Sequence, residues 1–425
     1  MLDLRFVRSN PDIVRTAIAN KGEKAELDTL LALDEELRGL LVKAEDLKAV
    51  RNTESEKVAR LKKAGEDASE IIEKMRAVSA EISSFDETIS GLRAKIHAQL
   101  ITLPNIPHES VPVGKTEDEN VIVRTWGDPG SLIETPVPHW EIGETLGLLD
   151  FARGTKIAGS NFPVFIGDGA RLARAMIAFM LDIHTKEHGY TEVSPPFVAN
   201  RDSMLGTGQL PKLEDDMYRC DGDDLFLIPT GEVPVTNLYR DETLAEDELP
   251  VLRTAYTPCF RREAGSYGKD TRGLMRVHQF DKVEMVKFVA PETSYDELEA
   301  LTANAEDILQ RLGIPYQVKE LCTGDLSFAA AKCYDIDVWA AGIGKWLEAS
   351  SCSNFGDFQA RRSGIRYKPA GGGKSAFVHT LNGSGVALPR TMVAILENYQ
   401  TDRGTIRIPE ALRPYMDGRE ELGGA

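Results

Sequence analysis

The chain has 425 residues, 42 % of them hydrophobic, and a formal net charge of −17. That length allows two or three domains with a substantial core, and so acidic a chain cannot coat nucleic acid wholesale, although a local basic surface is compatible with it. The opening MLDLRFVRSNPD lacks a long apolar core and no run of about 18 apolar residues occurs, so neither a secretory signal nor a membrane span is expected. Five cysteines (220, 259, 322, 333, 352), odd in number and without a CxxC pair, suit a reducing cytoplasm better than a disulfide framework or a zinc site.

Charge is uneven along the chain. Residues 1–105 carry 17 Lys/Arg against 19 Asp/Glu, whereas the remaining 320 carry 33 against 48, which suggests two modules with different partners. From Leu30 a seam runs through Leu33, Leu37, Leu40, Ala44, Leu47, Arg51, Glu54, Val58 and Leu61, in alternating steps of three and four. A second seam runs through Ile71, Met75, Val78, Ile82, Phe85, Ile89, Leu92 and Ile96. Each set falls on one helix face, the pattern of a left-handed coiled coil. The short link KKAGED, with Gly65 as its turn, forces the two helices antiparallel. About 35 residues per helix at about 1.5 Å each predicts a hairpin roughly 50 Å long.

Two readings fit such a hairpin: a dimerisation coiled coil, or an arm that touches a polyanion. The tip half favours the second, because Lys43, Lys48, Arg51, Lys57, Arg60, Lys62 and Lys63 face only Glu45, Asp46, Glu54 and Glu56. Mobile cations of this kind are what phosphate contacts require. Arg51 and Glu54 interrupt the apolar seam, so the tip should be zipped less tightly than the base.

The pattern breaks at ITLPNIPHESVPVGKTEDEN, where Pro104, Pro107 and Pro112 precede an acidic run. This reads as a linker over 106–125, with the arm over 1–105 and the body over 126–425. In the body, 169–189 has helical apolar spacing and a terminal Gly189, followed by an extended YTEVSPPFV interrupted by Pro195 and Pro196. Strand-like runs follow at 224–230, 251–260, 275–289, 334–341 and 345–350, with a helix at 294–313. Strands that do not alternate strictly with helices predict an α+β fold, a mainly antiparallel sheet flanked by helices.

Two short matches are decoys. HTKEH (184–188) fits a zinc-protease pattern, yet it lies in the last helical turn before Gly189, where histidine is favoured by the helix dipole. GGGKS (371–375) resembles the end of a phosphate-binding loop, but Lys368 stands where the first glycine is needed and no apolar strand leads into it, so a loop is expected.

Chemistry concentrates at FRREAGSYGKDTRGLMRVHQFDKVE (260–284). Arg261, Arg262, Lys269, Arg272, Arg276 and Lys282 gather around three glycines, and His278, Phe280 and Glu284 fall on alternate positions of the returning strand. A basic loop between antiparallel strands can hold a phosphate chain while the strands hold a base. A surface hairpin with solvated charges would explain neither the glycines nor the aromatic and acid on one face. Downstream, LEASSCSNF supplies Glu348 and Ser351, oxygen donors suited to Mg²⁺ on a nucleotide. LNGSGVALPRTMVAILENYQ begins with small residues and enters an apolar helix bearing Arg390, and IPTGEVPVTNLY offers Thr230 and Glu232. No Ser–His–Asp or Cys–His relay is visible, so the inventory fits phosphoanhydride chemistry by positioning and charge.

These segments carry a resemblance. FRREAGSYGKDTRGLMRVHQF resembles motif 2 of the class II aminoacyl-tRNA synthetases, LNGSGVALPRTMVAILENYQ resembles motif 3, and the helix with Pro196 resembles motif 1. With the hairpin, the chain is similar to the bacterial-type seryl-tRNA synthetases over essentially its whole length.

The resemblance implies roles for residues present here. Arg261 would bridge the ATP α-phosphate and the serine carboxylate, with Arg262 beside it; Glu263 would meet the adenine amino group. Phe280 and Arg390 would stack on the two faces of adenine. Glu348 and Ser351 would hold Mg²⁺, with Ala349 and Ser350 completing the ATP-binding run. Thr230, Gly231, Glu232, Glu284, Asn382 and Ser384 would line the serine pocket. Gly231 and Ala349 depart from the Ala and Ile expected of the family, but neither removes a named side chain. Although Cys352 lies beside the metal residues, the wording follows the zinc-free branch, so no zinc is expected.

The implied activity joins serine to the 3′ end of tRNA-Ser, and by analogy tRNA-Sec, through seryl-adenylate. The arm would contact the long variable arm of the tRNA, and the apolar motif 1 helix would form a homodimer. The rivals are an amino acid–carrier protein ligase, which should lack the basic hairpin, and a non-catalytic RNA-binding paralogue, which should have lost Arg261, Glu348 or Arg390. A plain coiled-coil scaffold would leave the motif 2 constellation unexplained.

Overall fold

The computed structural model describes residues 1–130, 132–264 and 272–423; Lys269, one of the cations singled out above, lies outside them. The chain divides into two compact units, one of Leu2–Ala19 with Glu23–Pro104, the other of Met1, Asn20–Gly22 and Asn105–Ala425.

The first unit is built on two long antiparallel helices, α1 (Leu27–Ala64) and α2 (Ser69–Leu100). Every seam position of both helices is buried or half-buried, including the polar Arg51 and Glu54, while the residues between are mostly exposed. The grading follows the sequence: Ile82, Ile89, Leu92 and Ile96 toward the base are buried, and Ile71, Met75 and Val78 toward the tip are half-buried. Gly65 ends α1 with φ 76°, the left-handed cap that lets the chain reverse. An ion pair from Lys48 to Asp86, 2.8 Å, crosses between the helices. Near the base, buried Asp34 meets both Arg8 (3.1 Å) and Arg38 (3.0 Å).

The second unit is organised by an eight-stranded sheet. Its strands are β1 (Val121–Trp126), β2 (Thr191–Glu192), β3 (Val251–Phe260), β4 (Gln279–Val289), β5 (Tyr316–Glu320), β6 (Lys332–Ala340), β7 (Lys345–Asn354) and β8 (His379–Ala387), in the order β1-β5-β6-β7-β8-β4-β3-β2. All neighbours are antiparallel except β2 and β3. The helices that matter for the site are α3 (His139–Thr145), α4 (Asp168–Lys186), α5 (Ser294–Arg311) and α6 (Leu388–Asn398). Met176, Phe179 and Met180 of α4, Leu301 and Ile308 of α5, and Met392 and Ile395 of α6 share one core with Val283, Met285, Ile336 and Val338 of the sheet. Val283/Met285 and Ile336/Val338 are alternate strand positions, which leaves the residues between them for the opposite face.

The stretch read as a linker, 106–125, is not a free spacer. Asn105 donates from Nδ2 to the Ala329 and Phe355 carbonyls, 2.8 Å each, and His108 N–H donates to Ala331 O. Gly324 N–H donates to Gly114 O, and from Val121 the chain enters the sheet as β1. Pro107 and Pro112 remove donors from this segment, but backbone bonds from His108, Pro112 and Gly114 to 323–331, and then the pairing of β1 with β5, hold it against the sheet. The returning strand of the hairpin also begins at Gln279 rather than 275, because buried Leu274 and Val277 turn inward first.

Both decoys resolve structurally. His184 Nε2 meets Gly385 O at 2.7 Å, its Nδ1 meets His188 Nδ1 at 3.0 Å, and His188 Nε2 meets Asp307 at 3.0 Å. Burial pushes His184 down to about 4, so this ring is neutral and tied to the backbone of β8. GGGKS is the exposed connection between the short strands Arg366–Lys368 and Ala376–Phe377.

Candidate active site

The β3–β4 hairpin sets the site's floor. Cys259 pairs with Phe280, Thr257 with Lys282 and Ala255 with Glu284. Strand alternation sends Val283 and Met285 into the helix-covered core, and Phe280, Lys282 and Glu284 to the other face. There a cavity of about 530 Å³ opens.

Its second wall depends on an irregularity. Glu348 and Ser351 are three residues apart, and a regular strand would place them on opposite faces. In β7, however, Ile336 pairs with Ser350 and Asp337 with Glu348, so Ala349 is an extra residue. This β-bulge re-aims the strand. Glu348 and Ser351 both line the cavity, while Leu347 and Cys352 enter the core.

Arg261, Glu348, Arg390 and Phe280 all line this one cavity. Arg261 donates from Nε to Pro229 O at 3.2 Å, and its guanidinium carbon lies 5.1 Å from the Phe280 ring centroid. Arg390 Nη1 donates to Glu348 O at 2.6 Å and stands 3.2 Å from Glu348 Oε2. Desolvation opposes charge on Glu348 only in part, since its side chain is 47 % exposed, and the Arg390 and Arg261 cations outweigh it and hold the carboxyl below its ordinary range. Glu263 lines the cavity with φ 52° and pairs with Arg276.

One end of the cavity is a small polar pocket. Lys282 Nζ lies 2.6 Å from Glu284 Oε2 and donates to Thr230 Oγ1 at 2.7 Å. Asn382 Nδ2 donates to Glu284 Oε1 at 3.1 Å. Glu284 is fully buried behind Thr230, Lys282 and Asn382. Glu232 accepts from Gln359 Nε2 at 2.6 Å. Burial first, and the Glu284 carboxylate second, push Glu232 up to about 7. Two carboxylates and one ammonium therefore share a nearly dry space, which suits a small ligand bearing its own ammonium.

Not every expected residue reaches the cavity. Thr230, Glu232, Ala349, Asn382 and Ser384 line it, whereas Arg262 is exposed, its N–H donating to Asp216 O. Ser350 lies behind the wall, donating to Ser384 O at 2.6 Å. Gly231 is also behind it; a Cβ there would stand 3.0 Å from Glu284 Cβ, so glycine fits this close approach. Of the arm cations, Lys48 pairs with Asp86 and Lys57 with Glu54. Sequence reasoning missed Lys282 as a pocket residue, although it sits midway between Phe280 and Glu284 in the same alternation. It also missed Gln209 and Gln359, which reach Glu232 from distant segments and leave no local signal.

The donors fit a magnesium ion in part. Among the described residues no group of three or more His, Cys, Asp or Glu is placed to hold a metal. Glu348 and Ser351 nevertheless offer a carboxylate and a hydroxyl on one face, and Mg²⁺ characteristically takes one or two protein oxygens and completes its shell from phosphates and water.

A polar cavity on an antiparallel sheet, with arginines on two walls, is the arrangement of a class II synthetase core. The model of the tRNA synthetase class II core domain (G, H, P, S and T) matches residues 213–399. The model of the seryl-tRNA synthetase N-terminal domain matches residues 1–107. The serine–tRNA ligase of Caldanaerobacter subterraneus subsp. tengcongensis is 57 % identical over 98 % of each chain, and that of Carboxydothermus hydrogenoformans is 58 % identical over 98 % of each. The crystal structure of seryl-tRNA synthetase from Pyrococcus horikoshii complexed with ATP superposes with a TM-score of 0.94 at 39 % identity, covering 99 % of each chain. The chain belongs to the seryl-tRNA synthetase family.

Proposed function

We propose that this chain is a serine–tRNA ligase that activates L-serine with ATP and transfers the seryl group to the 3′ end of tRNA-Ser. The observation that carries this reading is the convergence of Arg261 with the Glu348–Arg390 pair on one cavity, next to a pocket with two buried carboxylates. The carboxylate of serine attacks the α-phosphorus of ATP, the bond to pyrophosphate breaks, and seryl-adenylate forms. The terminal ribose hydroxyl of the tRNA then attacks the seryl carbonyl and AMP departs.

Arg261 neutralises charge that builds at the α-phosphate and aligns the serine carboxylate with it. Phe280 and Arg390 hold adenine between them, and Glu263 receives its amino group. Glu232 takes the serine ammonium; Glu284, fixed by Lys282 and Asn382, orients Thr230 toward the same ligand. Glu348 and Ser351 are the residues to hold Mg²⁺, which when bound offsets phosphate charge. Catalysis is alignment and electrostatics, with no covalent nucleophile on the protein. Alanine is rejected because it leaves hydroxyl partners unpaired, a penalty that can reach about 10⁴–10⁵ in selectivity, so threonine is the harder competitor.

The cations of the arm contact tRNA, the protein works as a homodimer in the cytoplasm, and tRNA-Sec is a second acceptor by family analogy. No helix of the described residues is long and apolar enough to cross a membrane. A pyrophosphate-exchange screen over the twenty amino acids tests the reading. Exchange fastest with serine supports it, and exchange faster with another amino acid, or with none, rejects it.

A further inference from the structure

We propose that His139 is a positioning residue that joins the ATP-facing wall after the hairpin loop to the helix carrying Arg390. The ring is fully buried at the start of α3. Leu274 N–H lies 2.9 Å from His139 Nε2. A backbone amide can only donate, so Nε2 carries no proton and the ring's single proton sits on Nδ1. Nδ1 donates to Glu397 Oε1 at 2.7 Å. Glu397, also fully buried and on α6, accepts in addition from His139 N–H and Ile343 N–H, 3.0 Å each. The tautomer is thereby fixed by its two neighbours, and each bond depends on the other.

The chain is drawn in closely at this point. Gly273 has φ +68°, and a Cβ on it would fall 2.2 Å from His139 Nε2. Just before it, the Arg272 guanidinium carbon stands 4.7 Å from the Trp140 ring centroid. Residues 272–274 thus rest against 139 and 140. Beyond them Leu274, Met275, Arg276 and Val277 line the cavity, and Arg276 pairs with Glu263. At the other end, Arg390 lies seven residues before Glu397, two turns along the same helix, and donates to Glu348 O. His139 itself does not line the cavity, so it acts by fixing two walls that hold ATP from different sides.

The inference rests on the serine–tRNA ligase reading, and two substitutions in the full-length protein separate the two bonds. His139→Gln can place an acceptor near the Nε2 position but loses the donor to Glu397. His139→Asn can keep a donor near the Nδ1 position but leaves Leu274 N–H unpaired. The assay is serine-dependent ATP–pyrophosphate exchange. The expected result is a rise in KM for ATP of about tenfold in the Asn variant, in the range of one unsatisfied buried donor. The Gln variant, which cuts the link to Glu397, should raise KM for ATP to a similar extent, and KM for serine should stay within about twofold in both. An ATP KM left unchanged by the Asn or by the Gln substitution, or parallel rises for ATP and serine, would overturn the proposal in favour of a merely structural histidine. Should both variants fail to fold, Gly273→Ala presses on Nε2 from the loop side. It is expected to raise KM for ATP about tenfold with serine unchanged, and an unaltered ATP KM would reject the coupling. Wild-type protein without serine-dependent exchange would instead reject the ligase reading before any variant is compared.

Discussion

Lys282→Met removes the ammonium that pairs with the buried Glu284 carboxylate of the serine pocket. The Lys282 side chain is 8 % exposed and Glu284 is 0 % exposed, with 2.6 Å between Nζ and Oε2. Breaking a buried pair from one side leaves the other charge uncompensated, at a cost of about 3–5 kcal/mol. Glu232 stands nearby with its own carboxyl already pushed up by burial and by Glu284, so it adds like charge to the pocket rather than compensation. Replacing Glu284 by Gln in the same protein removes the stranded charge while keeping an amide that can bond Thr230, and should recover about 2 kcal/mol or more. All four tryptophans (126, 140, 339, 346) lie in the catalytic unit, so their fluorescence during urea unfolding reports on that unit alone. With a slope of about 3 kcal/mol/M, the single variant should lower the midpoint by about 1 M and the double variant should regain much of it. A single variant within about 1 kcal/mol of wild type, or a double variant no more stable than the single, would refute the balance of charge argued for this pocket.

Serine binding should also depend on pH through Glu232, whose carboxyl is pushed up to about 7. KM for serine should rise as pH falls from 8 to 6. Over the same interval the empty protein should gain stability, because the native state takes up a proton that the unfolded chain, at its ordinary 4.5, releases. A serine KM flat across that range would remove Glu232 from the ammonium site. Arg261→Ala should abolish serine-dependent pyrophosphate exchange, and a rate near wild type would take Arg261 out of the chemistry. Replacing residues 48–86 by a short turn, at the point where Lys48 meets Asp86, should spare exchange and cripple aminoacylation. Equal loss of both steps would show that the arm serves folding rather than tRNA contact.

Much of this molecule is readable because its signals are local. A heptad seam needs only its own two helices, and the burial of Leu30 through Leu61 and Ile71 through Ile96 follows from spacing alone. Likewise, alternation in a single strand places Phe280 and Glu284 together, and the cations around 260–284 announce an anion without any contact being known. The sequence could not reveal how far Arg262 and Arg261 diverge. Adjacent residues of like chemistry have the same signature, and only the path of the backbone at the end of β3 separates them. The prolines of 104–112 masked the pairing of that segment, because a missing donor resembles a missing partner until the partner strand is seen.

What the sequence determined by itself was the paired helices of the arm, the β3–β4 hairpin with β6 and β7, and the residue types available for nucleotide chemistry, since each depends on periodicity or composition within one segment. The tertiary structure decided which of those residues meet. The extra residue at Ala349 turns Glu348 and Ser351 to one face, Asn382 closes on Glu284 from 98 positions away, and His139 bonds both Leu274, 135 positions on, and Glu397, 258 positions on. Such meetings are set by register and packing between distant segments, and no property of either segment alone encodes the distance between them.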